Sequence, residues 1–407
     1  MARVLFYPGL FFVSILVFRL DAFTVGDLLL IASAVALVLA IKKPVVKNPL
    51  PISTALATVL LVVGGALSSA VSPNPSDSVQ VLVRLLFVVV VLPWQCRLLL
   101  TTDRRLTAAA VWFGAGAAVC GAGTVLQYAF GPLIIPGTEV TNAGRFPGFA
   151  GHVSDTGGIT ALAVIIGLIL LARPGRRRAH LLAALILVGG LVGVILSGSV
   201  SGFLAIAVAV IYIVLRRGIA FRRLFFAGVL TAVGFYIANT VLAANSVALT
   251  PLQRIEATLG ISSTVADVNT ASSRLETDRL GWEGFLAHPL TGVGLDGPSA
   301  LVMGNLGVHN FWIAALYQGG IFIALGLAVV VIGIMASGLR HTPRSTVPLA
   351  IYASVLAMLA FAMTAPSFFN RYFWVPLALL SASMVLSKSR HLHASASTAQ
   401  RNAVSGS

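Results

Sequence analysis

Long apolar stretches separated by short polar breaks dominate the chain. An apolar run of about 18 or more residues is long enough to cross a hydrocarbon core as a helix. Twelve such runs are read, at roughly 4–20, 25–41, 52–71, 79–96, 106–130, 157–172, 180–197, 201–215, 224–244, 310–338, 347–365 and 372–387. They are continuous and do not alternate as barrel strands do, so helices are predicted. The pattern predicts an all-α polytopic membrane protein with nine spanning helices over 1–244, a large loop with amphipathic helices over 245–309, and three helices over 310–387. A second break, 131–156, is also longer than a turn. The Ser/Ala-rich end, 388–407, is predicted to be a disordered tail.

Composition supports this reading. Of 407 residues, 58% are hydrophobic and 10% charged, whereas a soluble domain carries about 25% charged residues. A cytosolic enzyme, a disordered chain and a secreted disulfide scaffold are excluded. Cys96 and Cys120 sit on different apolar runs and offer neither a disulfide framework nor a metal spacing. The formal charge of +15 would suggest nucleic acid on a soluble protein, but topology accounts for most of it. With the N-terminus inside, the inside segments hold Arg3, Lys42, Lys43, Lys47, Arg97, Arg104, Arg105, Arg173, Arg176–Arg178, Arg216, Arg217, Arg222, Arg223, Arg340, Arg344, Lys388, Arg390 and Arg401. That is the positive-inside pattern. Both termini are predicted cytoplasmic, in an inner (cytoplasmic) membrane, and no nucleic acid is expected as a partner.

Seven arginines remain outside or within the membrane: Arg19, Arg84, Arg145, Arg254, Arg274, Arg279 and Arg371. Topology disfavours them there. Arg84 lies in VQVLVRLLFVVVV, where it either snorkels outward or faces a polar cavity. Arg19 is expected to pair with Asp21. Asp27 is expected to be a helix-terminal or buried hydrogen-bonding group. Arg145 lies in GRFPGFAGHVSDTGG, with His152 and Asp155 just before a helix. The loop glycines 144, 148 and 151 would let backbone N–H groups approach an anion, and Asp155 is expected to be the helix N-cap.

The segment SSRLETDRLGWEGFLAHPLTGVGLDG reads as an amphipathic helix near the outer surface, with Arg274 and Arg279 on it. Glu276 and Arg279 are spaced for a surface ion pair. His288, before a proline, is expected at the helix end. In GVHNFWIAALYQGG, His309 precedes a long apolar helix that Asn310 would cap.

These motifs in this order are an arginine–glycine loop, S-G-S-V-S-G at 197–202, S-R-L-E followed by H-P-L-T-G-V-G, and H-N at a helix start followed by G-G-I. The chain resembles the O-antigen ligase and O-antigen polymerase superfamily of bacterial membrane glycosyltransferases. The resemblance implies a GT-C-like bundle with its active site at the extracytoplasmic face. It implies transfer of a glycan from an undecaprenyl-diphosphate carrier to a glycan, lipid or cell-wall acceptor hydroxyl, among membrane lipid and with no cofactor. Arg145 and Arg274 match family positions that bind the diphosphate, and His309 matches the family's general base. Arg279, Arg84, His152, Asn310 and His288 are further candidates for substrate binding. Two positions depart from the family pattern: Val200 stands where an arginine is common, and Asp278 where an aromatic residue is common.

The residues support the same chemistry. A departing diphosphate needs a divalent metal or cationic side chains to stabilise it. The outer segments hold arginines but no D-x-D pair, so a metal-independent arginine clamp is expected. The alternatives are a polymerase of carrier-linked units and a lipid-linked glycan transporter or flippase.

Overall fold

The computed structural model describes residues 1–20, 23–41, 51–138, 140–141, 144–173, 176–217, 270–341, 346–365 and 369–405, with the isolated positions 236, 240, 253 and 256. The run at 224–244 and the first part of the large loop, with Arg254, lie outside the described residues, as do Asp21 and the basic segment 42–50.

The chain begins with α1 (Ala2–Phe12) and a two-stranded antiparallel hairpin, β1 (Arg19–Leu20) and β2 (Phe23–Thr24). Next come α2 (Val25–Ala40), α3 (Ile52–Val71), α4 (Pro75–Leu86) and α5 (Leu92–Leu99), the last two joined by a π-helical turn at Phe87–Val91. The series α6 (Asp103–Phe130), α7 (Val153–Leu171), α8 (Arg177–Ser197) and α9 (Val200–Arg217) follows. After the undescribed segment stand α10 (Thr270–Ala287), the hairpin β3 (Leu301–Met303) and β4 (Leu306–Gly307), α11 (Phe311–His341), α12 (Thr346–Ala362) and α13 (Arg371–Ser405). Among the described residues six helical stretches are long and apolar enough to cross a membrane, and α1, α2, α9 and α12 are shorter apolar helices. The chain is a polytopic, mainly helical protein of the kind its hydropathy predicts.

Two sequence expectations need correction. The first apolar run is helical only to Phe12. Its remainder turns, because the backbone N–H groups of Leu16 and Val17 both donate to the Phe149 carbonyl and Arg19–Leu20 pairs with Phe23–Thr24. The end of the chain, predicted disordered, is helical in backbone to Ser405. Its composition argues against a packed core, but Ala, Gln and Arg are good helix formers and need no tertiary partner to favour a helix.

α7 is the hub. It packs against α6, α8, α9 and α12 and is buried along most of its length. Small residues allow this closeness. A Cβ on Gly121 of α6 would lie 2.1 Å from the Gly189 carbonyl oxygen of α8. At one end of the bundle, Asp27 caps α2 in a reciprocal box with Thr24 and takes two bonds from Arg371 at the start of α13, Nε and Nη2 each at 2.5 Å. Asp27 is thus the buried hydrogen-bonding group expected of it, and Arg371 is its partner. Arg19 donates from Nε to the Leu16 carbonyl; Asp21, its expected partner, lies outside the described residues.

The G-G pair of α11 is explained by a kink. Gly320 has φ 67° and ψ −172°, and a Cβ there would lie 2.5 Å from the Leu290 carbonyl oxygen. The break leaves helical carbonyls without helical donors. Val293 N–H bonds the Tyr317 carbonyl at 3.0 Å, Gly294 N–H bonds that of Gln318 at 3.1 Å, and Ile321 N–H reaches back to Pro289 at 2.8 Å. The H-P-L-T-G-V-G loop is therefore threaded into the kink. This fixes the end of α10 against α11, and with it the relation of Arg274 to His309.

Candidate active site

The loop between α6 and α7 carries Arg145. Its backbone is held at Thr141, whose N–H donates to the Arg145 carbonyl and whose Oγ1 accepts from Arg145 N–H, both at 3.2 Å. Arg145 Nε donates to the Ser197 carbonyl at 2.9 Å. Ser197 ends α8, so the guanidinium satisfies a terminal carbonyl at the negative end of a helix dipole. Two of the three loop glycines, Gly144 and Gly148, have their N–H groups already bonded within the protein. Gly144 N–H donates to the Thr141 carbonyl, and Gly148 N–H donates to Oε1 of buried Gln127 at 2.7 Å. They shape the turn, and Arg145 itself supplies the donors.

Asp155 is not the N-cap of α7. His152 is: its Nδ1 accepts from Ser154 N–H at 3.3 Å. Asp155 lies one turn inside, where it accepts from Tyr372 Oη at 2.7 Å and Asn370 Nδ2 at 3.1 Å at the head of α13. It ties α7 to α13 beneath the loop.

α10 supplies the second arginine and the setting for the histidine. Arg274, Thr277 and Asp278 share a face at i, i+3 and i+4. Asp278 Oδ1 accepts from the backbone N–H groups of both His309 and Asn310 at 3.0 Å. Thr277 Oγ1, fully buried, lies 3.2 Å from His309 Nδ1 and donates to the Arg274 carbonyl at 2.9 Å. Asn310 caps α11 as expected, its Oδ1 accepting from Trp312 N–H at 2.9 Å and Ile313 N–H at 3.3 Å.

Electrostatics shows which groups act on one another. Arg145 is half-buried, and burial, followed by the charge of Arg274, pulls its guanidinium down to about 10. Arg274 is lowered by its own burial, against an opposing pull from Asp278. His309 is lowered by burial first and then by Arg274, with Asp278 and the Gly307 backbone opposing and His152 adding to the lowering. Arg145, Arg274, His309 and His152 therefore form one electrostatic cluster. Among the described residues neither Arg145 nor Arg274 makes an ion pair; those present are Arg279 with Glu276 and Glu283, and Arg371 with Asp27. Two partly desolvated guanidinia that repel each other, with only Asp278 opposing at Arg274 and no ion pair formed, are costly unless an anion arrives to share them.

Other candidates fall elsewhere. Arg279 is exposed and gripped by Glu276 at 2.6 Å and Glu283 at 2.5 Å, and Val200 is itself an exposed residue. His288 is exposed at the end of α10, as its place before proline predicts. Arg84 lies over the Phe23 ring, 5.6 Å from its centre, and donates to Gln80 Oε1 at 3.2 Å. Thr277 and the bonding of Asp278 were not legible as site features in the sequence. The available signal was their helical spacing from Arg274, but spacing alone does not say what the shared face meets.

The S-G-S-V-S-G motif joins the halves of this end. Gly202 N–H is taken by Ser199 Oγ at 3.1 Å, and Ser201 Oγ accepts from Thr364 Oγ1 at 2.6 Å beyond α12. Residues 185–328 match the family model described as O-Antigen ligase. No curated protein matches the chain. The matched region, about a third of the chain, runs from α8 through the kink of α11 and contains the S-G-S-V-S-G, S-R-L-E, H-P-L-T-G-V-G and H-N motifs; over this region the chain is similar to the O-antigen ligase family.

Proposed function

We propose that this protein is a membrane glycosyltransferase that moves a glycan from an undecaprenyl-diphosphate carrier to an acceptor hydroxyl at the extracytoplasmic face. One observation carries the reading: Arg145 and Arg274, both half-buried, lie close enough for the charge of Arg274 to act on both Arg145 and His309, and neither arginine makes an ion pair among the described residues. Arg forks match phosphate oxygens bidentately and stay charged at neutral pH. The clamp would act on the leaving group. As the bond from the anomeric carbon to the carrier's diphosphate oxygen breaks, its electron pair stays on that oxygen, and the growing negative charge is met by the two guanidinia.

His309 supplies the other half. The acceptor hydroxyl transfers its proton to the imidazole while its oxygen bonds to the anomeric carbon from the face opposite the diphosphate. The products are the glycosylated acceptor, the carrier diphosphate and an imidazolium that returns its proton to solvent. This single displacement inverts the anomeric centre. Its pKa, lowered below the ordinary 6.5, keeps His309 neutral and competent at pH 7.

The test uses purified protein in proteoliposomes with a labelled carrier-linked glycan and candidate acceptors. His309→Ala is expected to abolish transfer and leave retention of the carrier lipid largely intact. Full activity in that variant would overturn the base assignment. A single addition to a distinct acceptor supports ligase activity. A ladder of joined units means a polymerase, and movement of lipid without covalent product means a flippase.

A further inference from the structure

We infer that the scaffold holds the two histidines of this site in opposite tautomers, His309 with a lone pair at Nε2 and His152 with a proton at Nε2, and that Thr277 is the residue positioning the first. The roles given to the two rings rest on the proposed glycosyl transfer; the tautomers do not.

Thr277 has one hydroxyl proton, and it is used on the Arg274 carbonyl at 2.9 Å, which can only accept. What Thr277 Oγ1 presents to His309 Nδ1, 3.2 Å away, is a lone pair. The proton between them therefore belongs to Nδ1. Thr277 is fully buried, so water does not compete for that lone pair. The backbone from which the ring projects is fixed as well, because Asp278 Oδ1 accepts from the backbone N–H groups of His309 and Asn310 from the same helix at 3.0 Å. A neutral imidazole carries one proton. With it on Nδ1, Nε2 is an acceptor, as a general base requires. The charged groups acting on His309 are Arg274, Asp278 and His152. Burial and Arg274 favour the neutral ring, which is the only form with a tautomer to choose.

His152 is set the other way. Its Nδ1 caps α7 by accepting Ser154 N–H at 3.3 Å, so the lone pair is at Nδ1 and the proton at Nε2. The ring is exposed. The site thus presents one acceptor nitrogen and one donor nitrogen. His309 Nε2 receives the acceptor hydroxyl's proton. His152 Nε2–H donates a hydrogen bond to a phosphate oxygen of the lipid diphosphate, adding a neutral donor to the two guanidinia.

The experiment is nitrogen-15 NMR of histidine-labelled protein in lipid bilayers, with His309→Gln and His152→Gln used to assign signals. The expected pattern is a protonated Nδ1 and bare Nε2 for His309, and the reverse for His152. Thr277→Val, similar in shape but without a lone pair, is expected to mix the His309 tautomers. It should lower kcat by on the order of tenfold or more, with KM for the carrier little changed. Thr277→Ser should restore both signals and rate. A His309 signal with the proton on Nε2, or a Thr277→Val spectrum identical to wild type, would overturn the inference. If Thr277→Val fails to fold, the wild-type spectrum and Thr277→Ser still decide. The inferred spectrum with no transfer from any carrier-linked glycan would leave the tautomers standing and remove the glycosyl-transfer reading.

Discussion

Replacing Arg145 with Met tests whether the guanidinium is kept for a ligand or for the fold. Burial and then Arg274 hold Arg145 at about 10, below the ordinary guanidinium value, a penalty of about 3 kcal/mol on remaining charged. Against this stands one bond, from Nε to the Ser197 carbonyl at the end of α8, and a charged donor of that kind contributes about 1.5–3 kcal/mol. The two nearly cancel. Arg145→Met should therefore match or exceed wild type in stability by up to about 2 kcal/mol, where breaking a satisfied buried pair costs about 3–5 kcal/mol. Transfer should behave oppositely, because losing one donor to developing charge costs roughly a hundredfold or more in kcat. The assay is thermal unfolding in detergent, with and without a lipid diphosphate, alongside initial rates of transfer. The expected result is a variant at least as stable as wild type that is no longer stabilised by the lipid diphosphate. A variant that unfolds far earlier, yet gains as much from the lipid as wild type does, would show that Arg145 is a structural residue.

The remaining predictions concern pH, the surface and the buried ion pair. His309 has its pKa lowered below 6.5 by burial and Arg274 and acts when neutral, so kcat/KM should be flat through pH 7 and fall only as pH drops below the ordinary histidine range. Arg274→Gln should move that acid limb to higher pH, and a limb that stayed in place would count against the coupling. Arg279→Gln should change transfer by less than roughly threefold, because the side chain is exposed and already paired with two glutamates; a large loss would place it in the site after all. Arg371→Met should destabilise the protein by about 3–5 kcal/mol by leaving Asp27 charged and buried, and Asp27→Asn with Arg371→Met should recover part of that in thermal unfolding.

Parts of the site could be read from residue order because their constraint is local. Asn310 precedes the helix it caps, and Glu276 and Glu283 lie within a turn or so of Arg279. Asp155 could not be assigned in this way. Its place in the first turn of α7 suits a cap, but the cap is His152, and Asp155 turns to Tyr372 and Asn370 more than 200 residues away. The glycines of the Arg145 loop were readable as turn residues, yet the destination of their N–H groups was not, since Gln127 sits on a different element.

By itself the sequence determined a polytopic helical membrane protein, the likeness to the O-antigen ligase family carried by the motifs, and the set of arginines that topology leaves unexplained. These follow from run length, charge placement and short-range spacing, which are properties of residue order. Only the tertiary structure decided that Arg145 and Arg274 are half-buried and that the charge of one acts on the other while Arg279 is spent on glutamates, that Arg371 belongs to Asp27, and that Thr277 and Asp278 hold His309. The physical reason is that burial and charge coupling depend on through-space separation. Here that separation is set by the kink at Gly320 and the loop threaded into it.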